Sequence, residues 1–383
     1  MSRSNHVGHF FQTTDSLAAT ERKTAKAKNK HGKPIKLSSK VLAVIPASTA
    51  SVLVAEAAGD VKKVALDSET IERQFNSGTA PLTCLATDPT TDTIYAGSWD
   101  KTIYAINKRD NSTKQLTSHT DFVKCLAIAH LDSQPILISG SSDATIIIWD
   151  ISPSNFGKVL HKLKGHAKAL QDFAIDPHEE SQSSRSITLF SASSDREIRR
   201  WQISRASAYE LPESLEKPIL AQDTSVYKLR FDSDGDLWTA SADKTAKHLI
   251  RSRNWEADTT LEHPDFVRDV LPFEDLGLVV TACRDEEVRV WDVSSGKLVC
   301  TYTGHFEEVT GLASLTDRKV VSVSIDGTVR QWSLERPDMA KYQEELAKEA
   351  ANGEAEDKQD EKKGSMLTAE EEAELAELLS DDD

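Results

Sequence analysis

Cysteine is scarce, with four residues in 383, at positions 84, 125, 283 and 300. No two of them form a C-x-x-C, so neither a zinc site nor a disulfide framework is signalled. Each sits among apolar neighbours, as the buried reduced thiol of an intracellular protein does. No apolar run reaches about eighteen residues, which excludes a membrane-spanning helix. The opening MSRSNHVGHFFQTTDS has no apolar stretch of the kind a secretory signal needs. Glycine-rich phosphate loops of P-loop or Rossmann form are missing, as are His-x-x-x-His pairs. Asp232, Asp234 and Asp236 in DSDGD have calcium-like spacing, but the loop lacks its closing Glu, so a plain turn is expected there. No cofactor and no metal is expected.

The net charge of −16 is unevenly placed. Residues 337–383 hold seventeen acidic and five basic side chains, or −12, which leaves −4 for the other 336 residues. The acidity therefore belongs to an appendage and says little about the body. At the other end ERKTAKAKNKHGKPIK is basic.

What the chain does have is a repeat. ILISGSSDATIIIWD (136–150) alternates apolar and polar residues, turns at Ser-Ser-Asp and alternates again, which reads as a β-hairpin. Related lines begin at 189, 279 and 320, and weaker ones at 54, 94 and 237. An aspartate marks the turn of each: Asp60, Asp100, Asp143, Asp195, Asp243, Asp285 and Asp326. Six residues on stands Leu66, Ile106, Trp149, Trp201, Leu249, Trp291 or Trp332. A second marker, His119, His166, His263 or His305, lies four residues before an apolar strand start.

These markers, with the Gly-His pairs 165–166 and 304–305 and the Trp-Asp pairs 149–150 and 291–292, resemble the WD-repeat family over residues 33–335. The resemblance implies an all-β fold, a seven-bladed β-propeller with four strands per blade around a channel. A lone four-stranded sheet of about 40 residues cannot bury both faces, whereas a closed ring of them can. The last repeat supplies only three strands. Its fourth is expected from KPIKLS (33–38), directly ahead of VLAVIP, in preference to VGHFFQ (7–12). The expected organisation is a flexible basic arm (1–32), the propeller (33–335) and an acidic, partly helical tail (336–383).

The recurring His, Ser and Asp imitate a hydrolase triad, but catalysis needs one constellation at one cleft and this one appears in four blades. By the family's pattern Asp bonds His, His bonds Ser, and Ser bonds the Trp ring N–H. The set is expected complete in blade 3 (His119, Asp143, Trp149), blade 4 (His166, Asp195, Trp201), blade 6 (His263, Asp285, Trp291) and blade 7 (His305, Asp326, Trp332). Blades 1, 2 and 5 lack the His and the Trp and are expected to rest on apolar packing and to be looser. No enzyme activity is expected.

The phrase Asp-Phe-Val-cation occurs twice, at 121–124 and 265–268. Val123 and Val267 begin an innermost strand, and alternation sends their neighbours the other way. In the resembled family those flanking positions, and the residue before the turn Asp, lie on the top rim of the channel. They concentrate Trp99, Phe122, Tyr227 and Phe266 with Lys124, Arg268 and Arg284. Aromatic and Arg side chains are the usual anchors of interfaces. The expectation is a scaffold whose top face takes an acidic, partly apolar peptide of a partner protein, the propeller itself being monomeric within a larger complex. Polar inserts at 178–186 and 205–217 are secondary candidates for contact.

Two alternatives follow from other features. The Lys-rich arm suits nucleic acid or a nuclear-import signal, making the chain an RNA- or ribonucleoprotein-associated assembly factor. A substrate receptor of a cullin-type ubiquitin ligase is less favoured. Such family members often carry Trp-Asp-x-Arg, and the four candidates here read WDIS, WQIS, WDVS and WSLE. Nucleus or cytoplasm is expected, the nucleus slightly favoured. In the tail, Met339, Tyr342, Leu346 and Ala350 share a helix face, 352–365 reads as a linker, and Thr368 with Glu371 forms a capping box before Leu375, Leu378 and Leu379. Ser380, ahead of three Asp, suits an acid-directed kinase.

Overall fold

Hydrophobic alternation places one face of every strand against the next blade, and the core follows from that. In the computed structural model, which describes residues 20, 22–24, 26–88, 90–178, 185–316 and 318–364, the strands form seven separate four-stranded antiparallel sheets. Blades 1 to 6 span 41–76, 82–117, 123–164, 170–210, 226–262 and 267–302. Blade 7 takes three strands from 309–333 and its fourth from Ile35–Lys36, with Ile35 opposite Val329 and Lys36 opposite Thr328. The preferred closing segment is thus the one used; 7–12 lies outside the described residues. The first strands form a ring in chain order, Val41–Ser48 lying against Leu82–Asp88 on one side and Val309–Thr316 on the other.

The core sits between blades. Val52, Val54, Val321 and Val323 unite blades 1 and 7, and Ile138, Ile146, Leu189 and Trp201 unite blades 3 and 4. Each such side chain contributes about 1.5–3 kcal/mol by leaving water.

One turn marker is corrected. In blades 2 to 7 the residue after the turn Asp has positive φ: Lys101, Ala144, Arg196, Lys244, Glu286 and Gly327. In blade 1 that residue is Gly59, so Ala58 holds the aspartate position and Asp60 opens the third strand. The register follows the turn geometry, which needs a left-handed residue, and not the Asp letter.

Residues 333–383 form a unit of their own. Arg336–Gly364 is one continuous helix, so the segment read as a linker up to 364 is helical. The capping box, the Leu375–Leu379 edge and Ser380 lie outside the described residues. Of the two inserts, 179–184 is not described, while 205–217 makes a short outer strand, Ala208–Glu210, and a helix, Pro212–Glu216.

Candidate partner-binding face

Seven β-bulges build the channel. At the start of each first strand, the register with the second strand skips one residue: Leu42, Thr83, Lys124, Gln171, Tyr227, Arg268 and Thr310. A bulged residue leaves the ladder and is re-aimed. All seven line one central cavity of about 240 Å³. Alternation along the strand indicated this direction, but the bulge enforces it. Just above, each blade repeats one backbone bond. Trp99 N–H donates to Pro81 C=O at 3.0 Å, Ser142 to Phe122 at 2.8 Å, and Arg284 to Phe266 at 2.9 Å. This bond sets the rim position before the turn beside the residue preceding the first strand.

The rim residues fall into two groups and the channel residues into a third. On blades 2 and 3, Trp99 and Phe122 stack with ring centroids 5.3 Å apart and planes 16° apart, and they remain 44 % and 38 % exposed. On blade 6 the Arg284 guanidinium lies over the Phe266 ring at 5.0 Å. Inside the channel Arg268 lies over Tyr227 at 4.3 Å and pairs with Glu308 at 2.7 Å. Lys124 makes no ion pair among the described residues. Burial, then the neighbouring Arg268 charge, holds its ammonium below the usual lysine range.

Deeper in the channel are charges that motif reading missed. Asp172 accepts from Lys228 Nζ and from Leu229 N–H, both at 3.0 Å, lashing blade 4 to blade 5. Asp269 accepts from Leu312 N–H of blade 7 at 2.9 Å and lies 3.6 Å from Arg230 of blade 5, lashing blade 6 to both its neighbours. Their position one or three residues past the bulge was the available signal. Charge-assisted bonds across a blade boundary fix the ring more firmly than neutral ones.

The hydrogen-bond sets stiffen the hairpins under this rim. In blade 3 the Trp149 ring N–H donates to Ser139 Oγ at 2.8 Å, and His119 bridges Ser139 at 2.8 Å and Asp143 at 3.1 Å. Blade 4 repeats this with Trp201, Ser191, His166 and Asp195. Blade 7 does so with Trp332, Ser322, His305 and Asp326. Burial pushes Asp143 up, but the hydroxyl and N–H of Thr145, the N–H of Thr120 and His119 outweigh it and hold the carboxyl down at about 2.

Blade 6 departs from the expectation. His263 still meets Thr281 at 2.8 Å, and Trp291 donates to the same hydroxyl at 2.9 Å, but the other His263 nitrogen donates to Leu261 C=O at 3.1 Å. Asp285 instead receives two bonds from Arg289, at 3.0 and 2.6 Å. A guanidinium four residues on is the stronger donor and takes the carboxylate from the histidine.

The blades without His and Trp are not held by apolar contacts alone. In blade 5 Gln222 donates to Thr239 Oγ1 at 2.7 Å, and Thr245 donates to Gln222 Oε1 at 2.9 Å. In blade 2 the Tyr104 hydroxyl donates to Asp100. In blade 1 Lys62 pairs with Glu56 at 2.6 Å, both almost wholly buried.

The remaining candidates for chemistry are engaged elsewhere. In DSDGD the Asp236 N–H donates to Asp232 Oδ1 at 2.8 Å, Arg251 N–H donates to Asp236 at 2.7 Å, and His248 meets Asp232 at 2.8 Å. The Asp232 and Asp236 carboxylates are turn and loop acceptors. All four cysteines are free and buried, and burial pushes Cys84 and Cys283 up to about 12. Such thiols stay protonated and unreactive.

The described part of the basic arm lies on the propeller. Arg22 and Lys26 pair with Glu286 at 2.8 and 2.9 Å, Lys26 with Glu287 at 2.7 Å, and Lys23 with Glu307 at 2.6 Å. Asn29 accepts from Arg330 at 2.9 Å, and Arg330 also donates to His31 C=O. Gly32, at φ +65°, passes the Trp332 ring so closely that a Cβ would stand 2.7 Å from it.

A family model described as "WD domain, G-beta repeat" matches residues 70–107, 110–150 and 296–333. An uncharacterized WD repeat-containing protein of Schizosaccharomyces pombe is 33% identical over 395 residues, covering 99% of this chain and 100% of the relative. Nuclear distribution protein nudF of Aspergillus niger is 31% identical over 197 residues, 51% of this chain and 41% of that protein. Pre-mRNA-processing factor 19 of Bos taurus is 25% identical over 209 residues, 52% of this chain and 38% of that protein.

Proposed function

The chain belongs to the WD-repeat family, and from that premise we propose that it is a non-enzymatic scaffold whose top face takes an acidic, partly apolar segment of a partner protein. The observation that carries this reading is the pairing of an exposed aromatic stack, Trp99 on Phe122, with a channel cation that makes no ion pair among the described residues, Lys124. A half-buried ammonium gains when a carboxylate arrives, because the desolvation cost is already met in the free protein. The stacked rings offer apolar area to the same segment, and the half-exposed Arg284, whose Nε lies 3.9 Å from Asp265, offers a second cation on the opposite part of the rim. Arg268 is the weaker anchor, since Glu308 already neutralises it.

The partial relatives named for nuclear distribution and for pre-mRNA processing favour work within a multi-protein assembly, in the nucleus or the cytoplasm. The test is affinity purification of the intact protein beside a Trp99→Ala/Lys124→Met/Arg284→Ala variant. Partners should be lost from the variant while its thermal midpoint stays within a few degrees. Retention of every partner would overturn the top-face assignment. The nucleic-acid reading has a separate observation behind it, the division of the arm's cations.

A further inference from the structure

The basic segment contains two kinds of lysine. Arg22, Lys23 and Lys26 are spent in ion pairs with Glu286, Glu287 and Glu307 on blades 6 and 7. Lys28, Lys30, Lys33, Lys36 and Lys40 are all exposed, and none makes an ion pair among the described residues. These five follow one path. Asn29, His31 and Gly32 fix its start on Arg330 and on Gln331, whose N–H donates to Gly32 C=O at 2.8 Å. The strand Ile35–Lys36 then climbs the outer edge of blade 7, and the Lys40 carbonyl receives the Ala57 N–H at the rim of blade 1. Ile35 is buried and Leu37 packs against the same core, so the apolar side chains of this path face inward.

We propose that Lys28, Lys30, Lys33, Lys36 and Lys40 form a backbone-tracking site for single-stranded nucleic acid, held in place by the bonds of Asn29, His31 and Gly32 to blade 7. The outward face offers ammonium groups and no exposed aromatic or apolar anchor. Such a surface can read a regular run of phosphates but not bases, so it binds without sequence preference. An acidic peptide would need apolar anchors that this path turns inward. A flexible single strand can follow a path that bends from blade edge to rim, where a stiff duplex cannot. The site is independent of the top-face reading, and Trp99→Ala leaves it intact.

The experiment is fluorescence anisotropy of a labelled oligouridylate with the full chain. With about five phosphates neutralised, log K should fall against log salt with a slope of about −3.5. Lys→Gln at all five positions should weaken binding at least about tenfold and flatten the slope, and Lys→Arg at the same positions should restore both. Glu286→Gln/Glu287→Gln/Glu307→Gln provides the second arm. It frees Arg22, Lys23 and Lys26 to reach phosphates, so the slope should steepen toward about −5.6. Binding that is absent, insensitive to salt, or unchanged in the five-site Gln variant at unchanged thermal midpoint would overturn the proposal. So would displacement of the oligouridylate by polyglutamate at equal charge concentration, which would assign the strip to acidic proteins instead.

Discussion

Gln222 donates to Thr239 at 2.7 Å in blade 5, in the place where blades 3, 4 and 7 use a histidine and a serine. The amide has one donor and one acceptor end, as a neutral imidazole does, so it links the hydroxyl of the second strand to Thr245 beside the turn. Gln222→Leu is expected to destabilise the fold by about 1–3 kcal/mol, since it leaves the fully buried Thr239 hydroxyl without this partner. Gln222→His should lose less. Urea denaturation of both variants checks the order.

Glu56 and Lys62 form a nearly solvent-free ion pair in blade 1. Lys62→Met strands a carboxylate inside the protein and should cost about 3–5 kcal/mol. Replacing both, Glu56→Leu with Lys62→Met, should cost less than the single change, because two well-packed apolar groups escape the desolvation penalty. If the double variant is the less stable one, the pair contributes more than it costs to bury.

The histidines predict the response to acid. Burial, and next the Arg289 charge, pushes His263 down to about 4, against 6.5 for a free imidazole. The fold holds it neutral, so between these values the unfolded chain binds more protons and stability falls as pH falls. The loss should be on the order of 3 kcal/mol for this residue. His119 and His305 are lowered in the same direction, burial again being the main cause. Asp143, held down at about 2, adds a loss that begins only below about 4. The thermal midpoint should be level above about pH 7 and drop between about pH 6.5 and 4. His263→Gln should flatten part of that slope.

Removal of residues 1–32 deprives the buried Arg330 of its bonds to Asn29 and His31. A loss of about 1–3 kcal/mol is expected from removing these bonds to a buried guanidinium. Scanning calorimetry of the truncated chain checks this. A truncation at 32 that melts like the full chain would mean the segment lies on the propeller without stabilising it.

The repeat and its seven-fold count were readable because each depends on local alternation and turn chemistry, which the letters record directly; the closing strand was only preferred, from its place directly ahead of VLAVIP, since pairing with the last repeat is a contact across the whole chain. Val123 and Val267 are fully buried, as the period-two pattern requires. Where the letters misled, a competing local partner was responsible. Asp60 imitates a turn marker, yet Gly59 supplies the positive φ and moves the turn two residues earlier than the letter suggests. Asp285 stands where a histidine partner is expected, yet Arg289 outbids His263 for it.

By itself the amino-acid sequence determined that seven sheets exist, because a hairpin with its turn recurs along the chain and needs no knowledge of distant neighbours; that strands such as Ser51–Glu56 and Thr145–Asp150 are buried on both faces follows from the packing of blade on blade. Tertiary structure alone decided that Trp99 meets Phe122, that Arg268 has a counter-ion while Lys124 makes no ion pair among the described residues, and that three of the arm's cations pair with Glu286, Glu287 and Glu307. Each of those outcomes depends on which group from another blade lies within a few ångströms, and closure of the ring is what brings them there.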